Sequence, residues 1–378
     1  MFLEQIERLY QRQLGVKALA FEKALLLGFP SRKVEAYRKV PTNKLANFPL
    51  KMKGEQLLDL TGMPKQVIAL TFEEAKKTYS LLLENRLKER VLKEKDFFAA
   101  LTNALSEKGT FIYIPQGVCI EEPIKISYKY SGEFSHFASQ IQIFVGKKAS
   151  VKFQFLPDFA NFRSGVINQG IDLYLDHESS LEIVDEAVIP KTAFYTNSLR
   201  SSLKKESKLQ VWTITKGSQF FRQDFKAELL EENAEVFFNG ASFLEEKNVS
   251  HTQVLIEHRA PNTRSHQHFK AVMKDEGSST FEGKIFVTPD AQKTEAYQLN
   301  NNLLLGEKSS CFSKPNLEIF ADDVKASHGA TVSNLSEEEL FYFQTRGISK
   351  EIAGNYLASG FLDEILKEIP KWHLIQNF

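Results

Sequence analysis

From about residue 110 onward the chain is a succession of short apolar runs. "FIYIP", "IKISY", "SQIQIFV", "SVKFQF", "GIDLYL", "SLEIV", "LQVWTI", "AEVFFNG", "HTQVLIEH", "STFEGKIFV" and "PNLEIF" follow one another at intervals of roughly 10–20 residues, separated by turn residues. Several alternate apolar with polar, the period of a strand with one buried face. No helical periodicity intervenes, so a fold of alternating strands and helices is not expected. Two architectures remain: a large sandwich or barrel, or a solenoid of stacked coils, a parallel β-helix. Asn300, Asn301 and Asn302 sit inside a strand-like run. Stacked coils often carry amide ladders, which favours the solenoid.

Both ends have a different texture. Up to about residue 105 the pattern is helical: Leu3, Ile6, Leu9 and Tyr10 recur at helical spacing, and "TFEEAKKTYSLLLENRLKERVLKEKDFFAALTNAL" contains no Gly or Pro. Between them, "GFPSRKVEAYRKVP" is punctuated by Gly28, Pro30 and Pro41 and reads as a loop with a short helix. After Asn334, Ser336 with Glu339 three residues on predicts a capped helix start. Gly347 suits the position just past its end. Ser349 opens a second helix with Ile352, Tyr356 and Leu357 on one face, and "GFLDEILKEIPKW" carries a third apolar stripe through Phe361 and Ile365. The expected organisation is a helical region over 1–105, a β body over 106–333 and a helical region over 334–378.

Charge narrows the function classes. Of 378 residues, 48 are basic and 48 acidic, so no electrostatic footprint points to nucleic acid or an anionic membrane. No apolar segment approaches the roughly 20 residues that span a bilayer. "MFLEQIERLYQRQLG" lacks the basic and apolar regions of a signal peptide. The two cysteines, Cys119 and Cys311, are far apart and form no CxxC pair. The expectation is a cytoplasmic protein.

The chemistry on offer is sparse. No phosphate-binding loop, dinucleotide fingerprint, GxSxG or HExxH occurs, so ATP hydrolysis is not expected. His251, His258, His266 and His268 cluster in "HTQVLIEHRAPNTRSHQHF". His266 and His268 would share a strand face and could form half a metal site, or simply lie on a solvated sheet. Asp176 and Glu178, and Asp322 and Asp323, raise the alternative of a β-helical carbohydrate-active enzyme, which needs convergent carboxylates across neighbouring coils; turn or cap residues are the plainer reading. His328 stands alone between small residues where the β body hands over to the helices. Gly329 and Ala330 beside it permit close backbone approach.

The stretch "DDVKASHGATVSNLSEEELFYFQTRGISKEIAGNYLASGF" resembles the SufB/SufD family of the SUF iron–sulfur cluster assembly machinery, and its "SHGATV" form resembles the SufD branch. "HTQVLIEHRAPNTRSHQHFKAVMKDEGSSTFEGKIFV", "AQKTEAYQLNNNLLLG" and "KPNLEIFADDVK" look like further family blocks. "DFFAALTNALSEKGTFIYIPQGV" resembles the entry into the β body, and "GFPSRKVEAYRKVPTNKL" a divergent N-terminal block. The resemblance covers most of residues 28–365.

It implies a right-handed parallel β-helix flanked by helical domains, and a non-enzymatic scaffold subunit. It implies pairing with a SufB-type homologous subunit through the β-helices, and docking of a SufC-type ABC ATPase on the C-terminal helices. There Phe341, Tyr342, Arg346, Ile352, Tyr356, Leu357 and Phe361 are the candidate contact residues. His328 becomes the candidate interface ligand for a nascent iron–sulfur cluster that the isolated chain would not hold stably. Asn300 takes the place of the partner branch's scaffold cysteine, and Ala326 the place of a cysteine frequent two residues before the histidine. The ligating thiols would therefore come from the partner, and the energy from a bound ATPase whose closure moves the interface. A homodimer is a further possibility when the partner is missing.

Overall fold

The structure is a computed structural model that describes residues 2–10, 13–38, 40–60, 62–106 and 109–373. The apolar runs fold into strands that alternate between two sheets, one of ten strands and one of nine, with parallel pairing throughout the body. This is a parallel β-solenoid of about eight turns, so the sandwich and barrel alternatives fall away. Tyr195 lies beside Phe221 and Ser278 beside Ser310, so one turn takes roughly 26–32 residues. Stacking is in register, and side chains form columns. Phe153, Ile183, Val211 and Phe238 make one such inward column in the nine-stranded sheet, all fully buried in the main core.

One corner turns in the same way in six successive coils. Lys148, Glu178, Glu206, Asn233, Asn262 and Lys293 all adopt φ between 57° and 59°. The amides of all six donate to the next coil's corner, among them Lys148 to the His177 carbonyl at 2.9 Å, Glu178 to Lys205 at 2.9 Å and Glu206 to Glu232 at 3.0 Å. Hydrogen bonding thus continues around the bend, and the cost of a left-handed residue is repeated because the ladder fixes it.

The N-terminal helices Phe2–Leu9, Val16–Leu27 and Phe97–Leu105 cover the outer face of the ten-stranded sheet. Phe97, Phe98 and Leu101 pack there against Val166, Phe194 and Phe220. The first 105 residues are not all helical. Met52–Lys53, Glu55–Asp59 and Ile68–Thr71 are strands that extend the two sheets. Glu55–Asp59 and Ile68–Thr71 run antiparallel to their neighbours. Sheet pairing decides these short segments, which are too brief for helical periodicity to be tested. Thr71 then caps the helix Phe72–Thr78 with a full capping box to Glu74.

Between helices and sheet lies a buried ionic network. Arg200 forks onto Glu94 (Nε to Oε2, 2.9 Å; Nη2 to Oε1, 3.0 Å) and reaches Asp224 Oδ2 at 2.6 Å. Arg222 donates to Asp96 Oδ2 and Gln253 Oε1, both at 2.7 Å, and stacks over the Tyr37 ring. Lys226 lies 3.3 Å from Glu94. Three cations face three carboxylates. Burial opposes the ionisation of Glu94, yet Arg200 and Lys226 hold its carboxyl well below the usual range.

After the last coil come the helices Glu337–Thr345 and Lys350–Leu366. Ser336 and Ser349 cap them, accepting from the Glu339 and Ile352 amides at 3.3 Å. Gly347, with φ 79°, follows the first helix as its spacing predicts. The stripe through Phe361 and Ile365 is the second half of the 17-residue helix, not a third one. Ala358, Leu362 and Ile365 seat it on Ala241, Val272 and Leu303 of the nine-stranded sheet. Beyond it, Trp372 Nε1 donates to Glu182 at 2.9 Å and His373 pairs with Glu186 at 2.9 Å, strapping the chain back across that sheet. Among the described residues, no helix is long and apolar enough to cross a membrane.

Candidate functional site at the open end of the solenoid

The last coil is made by the strands Ser310–Ile319 and Val324–Asn334, each at the end of its sheet and paired on one side only among the described residues. In Val324–Asn334 the register places Ala326, His328 and Ala330 against Ala296, Gln298 and Asn300. Asn300 in turn pairs with Phe269 of the main core. The alternation of a strand therefore puts Ala326, His328 and Ala330 in the inward row. No further coil covers them, and His328 is exposed. Its imidazole makes no hydrogen bond or ion pair with any described residue. An inward-row imidazole at an open end is free to take a ligand or face a docked chain. Ala326 lies one inward position away and offers no thiol. Asn300, beneath, donates to the Phe269 carbonyl at 3.1 Å. The three asparagines divide as strand residues must: Asn300 and Asn302 inward and buried, Asn301 outward.

The histidine run does not converge. His251 faces the N-terminal helices, where burial and Arg222 push it down to about 4. His258 lies inside the solenoid between Thr263 and Ser265, and burial pushes it down to about 3. His266 and His268 do share an outer face, with ring centroids 6.1 Å apart. Among the described residues, no three His, Cys, Asp or Glu side chains are grouped to hold a metal ion. Cys119 and Cys311 are free thiols. Asp176 sits at a corner with Lys204 and His177, which hold it below the usual carboxylate range against the effect of burial. That is the wrong direction for a general acid. Asp322 and Asp323 lie exposed at another corner.

The C-terminal helices present an apolar surface. Phe341, Tyr342, Ile352 and Tyr356 are 66, 58, 50 and 62% exposed. Arg346 donates to the Tyr342 hydroxyl at 3.3 Å and lies over its ring. Leu357 is half-buried. Phe361 turns toward the body, with the Lys270 ammonium 4.5 Å from its ring centroid. Exposed aromatics gathered on one short segment are the kind of surface that protein contacts use.

Residues 128–361 match the family model described as SUF system FeS cluster assembly, SufBD core domain, and residues 51–126 match the SufBD protein N-terminal region. The chain belongs to the SufBD family. Relatives include the iron-sulfur cluster assembly protein SufD of Escherichia coli, 25% identical over 92% of this chain and 87% of that protein. Protein ABCI7, chloroplastic, of Arabidopsis thaliana is 30% identical over 76% of this chain and 63% of its own length. The iron-sulfur cluster assembly SufBD family protein slr0076 of Synechocystis is 31% identical over 53% of this chain and 44% of its own. The chain thus spans less than two thirds of the plant and cyanobacterial relatives. Within this SufBD protein, the core match takes in the solenoid from the strand Ile124–Gly132 onward, His328, and most of the two helices that follow.

Proposed function

We propose that this SufD-like protein is a scaffold subunit for iron–sulfur cluster assembly, with His328 as an interface ligand to the nascent cluster. The observation that carries the reading is the place of His328: an exposed imidazole in the inward row of an unpaired terminal coil. Two free sheet edges are ready templates for strand addition by a homologous SufB-type subunit. Exposed Phe312, Phe320 and Val332 flank them. A cluster needs several ligands, chiefly thiolates, with imidazole able to replace one. His328 supplies one, and the thiolates come from the partner subunit. The apolar surface of Phe341, Tyr342, Ile352 and Tyr356, with Arg346 and Leu357, docks a SufC-type ABC ATPase. Phe361 anchors the helix beneath that surface, so ATPase motion is passed to the body through Lys270 and the last coils.

Co-expression with a cysteine-bearing SufB-type subunit and a SufC-type ATPase is expected to yield one complex. His328→Ala should leave assembly intact and lower cluster yield by at least about tenfold, as loss of a ligand does. Normal yield would remove His328 from the site. Tyr356→Asp places a charge on an exposed apolar patch. It should change stability by no more than about 0.5 kcal/mol and abolish capture of the ATPase while sparing the SufB-type subunit. Undiminished capture would place the ATPase elsewhere.

A further inference from the structure

The inward column that ends at His328 changes character along the solenoid. Phe153, Ile183, Val211 and Phe238 are followed by Gln267, Gln298 and His328. Four apolar residues give way to two amides and an imidazole. Both amides are fully enclosed: Gln267 is 0% and Gln298 3% exposed. Gln298 Nε2 donates to Gln267 Oε1 at 2.9 Å. Gln298 Oε1 and Gln267 Nε2 have no partner. A buried polar atom without a partner is destabilising, and an apolar pair here would continue the column at no such cost.

The opposite wall accommodates this choice. In the ten-stranded sheet, Leu199, Phe225 and Val254 are followed in register by Gly283. A Cβ at Gly283 would sit 1.4 Å from Gln298 Nε2. Gly283 is thus the space into which the Gln298 amide projects. Two sheets have given up apolar packing at one point, directly below His328.

We propose that Gln298 is a positioning residue for His328, its free Oε1 accepting one imidazole N–H so that the other ring nitrogen presents its lone pair to the open end. In-register neighbours on parallel strands lie about 4.8 Å apart, so a change of imidazole rotamer brings the N–H onto Oε1. Gln267 holds the Gln298 amide from behind, and Gly283 gives it room. The acceptor selects one tautomer, as the outer partner of a ligating histidine does. This inference rests on His328 being a ligand, but its geometry is tested without any cluster.

The test is nitrogen NMR of the histidine-labelled full chain under conditions where His328 is neutral, with His328→Ala identifying the signal. The native chain is expected to hold His328 predominantly in one tautomer. Gln298→Met should return it to the mixture of a free imidazole, and Gln298→Glu, which keeps an acceptor, should retain the single tautomer. In the assembled complex, Gln298→Met should lower cluster yield by about 10-fold or more. A His328 signal identical in the native and Gln298→Met chains, with the solenoid intact by circular dichroism, overturns the proposal. A tautomer that responds to Gln298, together with normal cluster yield from His328→Ala, would keep the positioning and reject the ligand role.

Discussion

Arg200→Met is expected to destabilise the protein by about 3–5 kcal/mol in chemical denaturation, the cost of leaving a buried ion pair half made. Arg200 is the hub of the network under the N-terminal helices. It satisfies both oxygens of Glu94 and one of Asp224, and its Nη1 also donates to the Asp224 backbone carbonyl at 2.7 Å. Without it, Glu94 keeps only Lys226 as a cationic partner in a dry setting. Glu94 would then protonate or draw water inward. Combining Arg200→Met with Glu94→Gln should recover part of the loss, because it removes one uncompensated charge. Arg200→Lys should fall between, since a point charge cannot replace the two-pronged fork. A loss below about 1 kcal/mol for Arg200→Met would show that the carboxylates find water or other donors, and that the network is not what seats the helices.

Asp185→Asn is expected to act in the opposite direction, with a gain that grows as pH rises above about 4 and is full above pH 7. Asp185 points into the solenoid, in register with Thr213 and Phe155, and its one hydrogen bond is a 3.3 Å contact from Asn197 Nδ2. Burial pushes its carboxyl up to about 7. The unfolded chain titrates near 3.9, so between pH 4 and 7 the folded state retains a proton that the unfolded state has lost. Stability therefore falls as pH rises through that window, by about 1.4 kcal/mol per unit. The penalty levels off near 4 kcal/mol above pH 7. Asparagine fills the same space without a charge to bury. Thermal unfolding of both chains at pH 4.5 and pH 8 should show a small difference at the lower pH and a large gain for Asp185→Asn at the higher. An equal difference at both would mean that Asp185 is hydrated.

The solenoid was legible because its inward columns are written as period-two runs; the asparagine run pointed the right way but not for its stated reason, since Asn300, Asn301 and Asn302 stack on Phe269, Lys270 and Ala271 and form no amide ladder. Five strands, Ala193–Leu203, Phe220–Leu229, Arg264–Met273, Thr294–Leu304 and Val324–Asn334, are absent from the eleven apolar runs read in the sequence, and of these only the stretch around the asparagines was read as strand-like. In "FFRQDFKAEL", Phe221, Phe225, Ala227 and Leu229 alternate with Arg222, Asp224, Lys226 and Glu228, which reads as a solvated face. That face is instead covered by helices from a segment some 120 residues earlier, and no local pattern encodes that Glu94 and Asp96 complete it. His328 was visible from its neighbours. The amide column beneath it was not, since Gln267, Gln298 and His328 are about 30 residues apart and meet only once the register is known. Likewise, the four clustered histidines suggested convergence that the alternation of strands and the corner at residues 259–263 undo.

The two ends of the solenoid are unlike. At one end the sheets finish in short strands that reverse direction, Glu55–Asp59 and Ile68–Thr71, the first bracketed by acidic side chains. At the other, two parallel edges lie open. A molecule with two open parallel ends could stack without limit into fibres; here the edges at the first end are strands of only five and four residues, which give a further chain few ladder positions to pair with. Under the proposed end-to-end pairing, two chains would join their long parallel edges and turn only the short reversed strands outward, an arrangement that disfavours growth into a filament whether the second chain is a homologue or a copy.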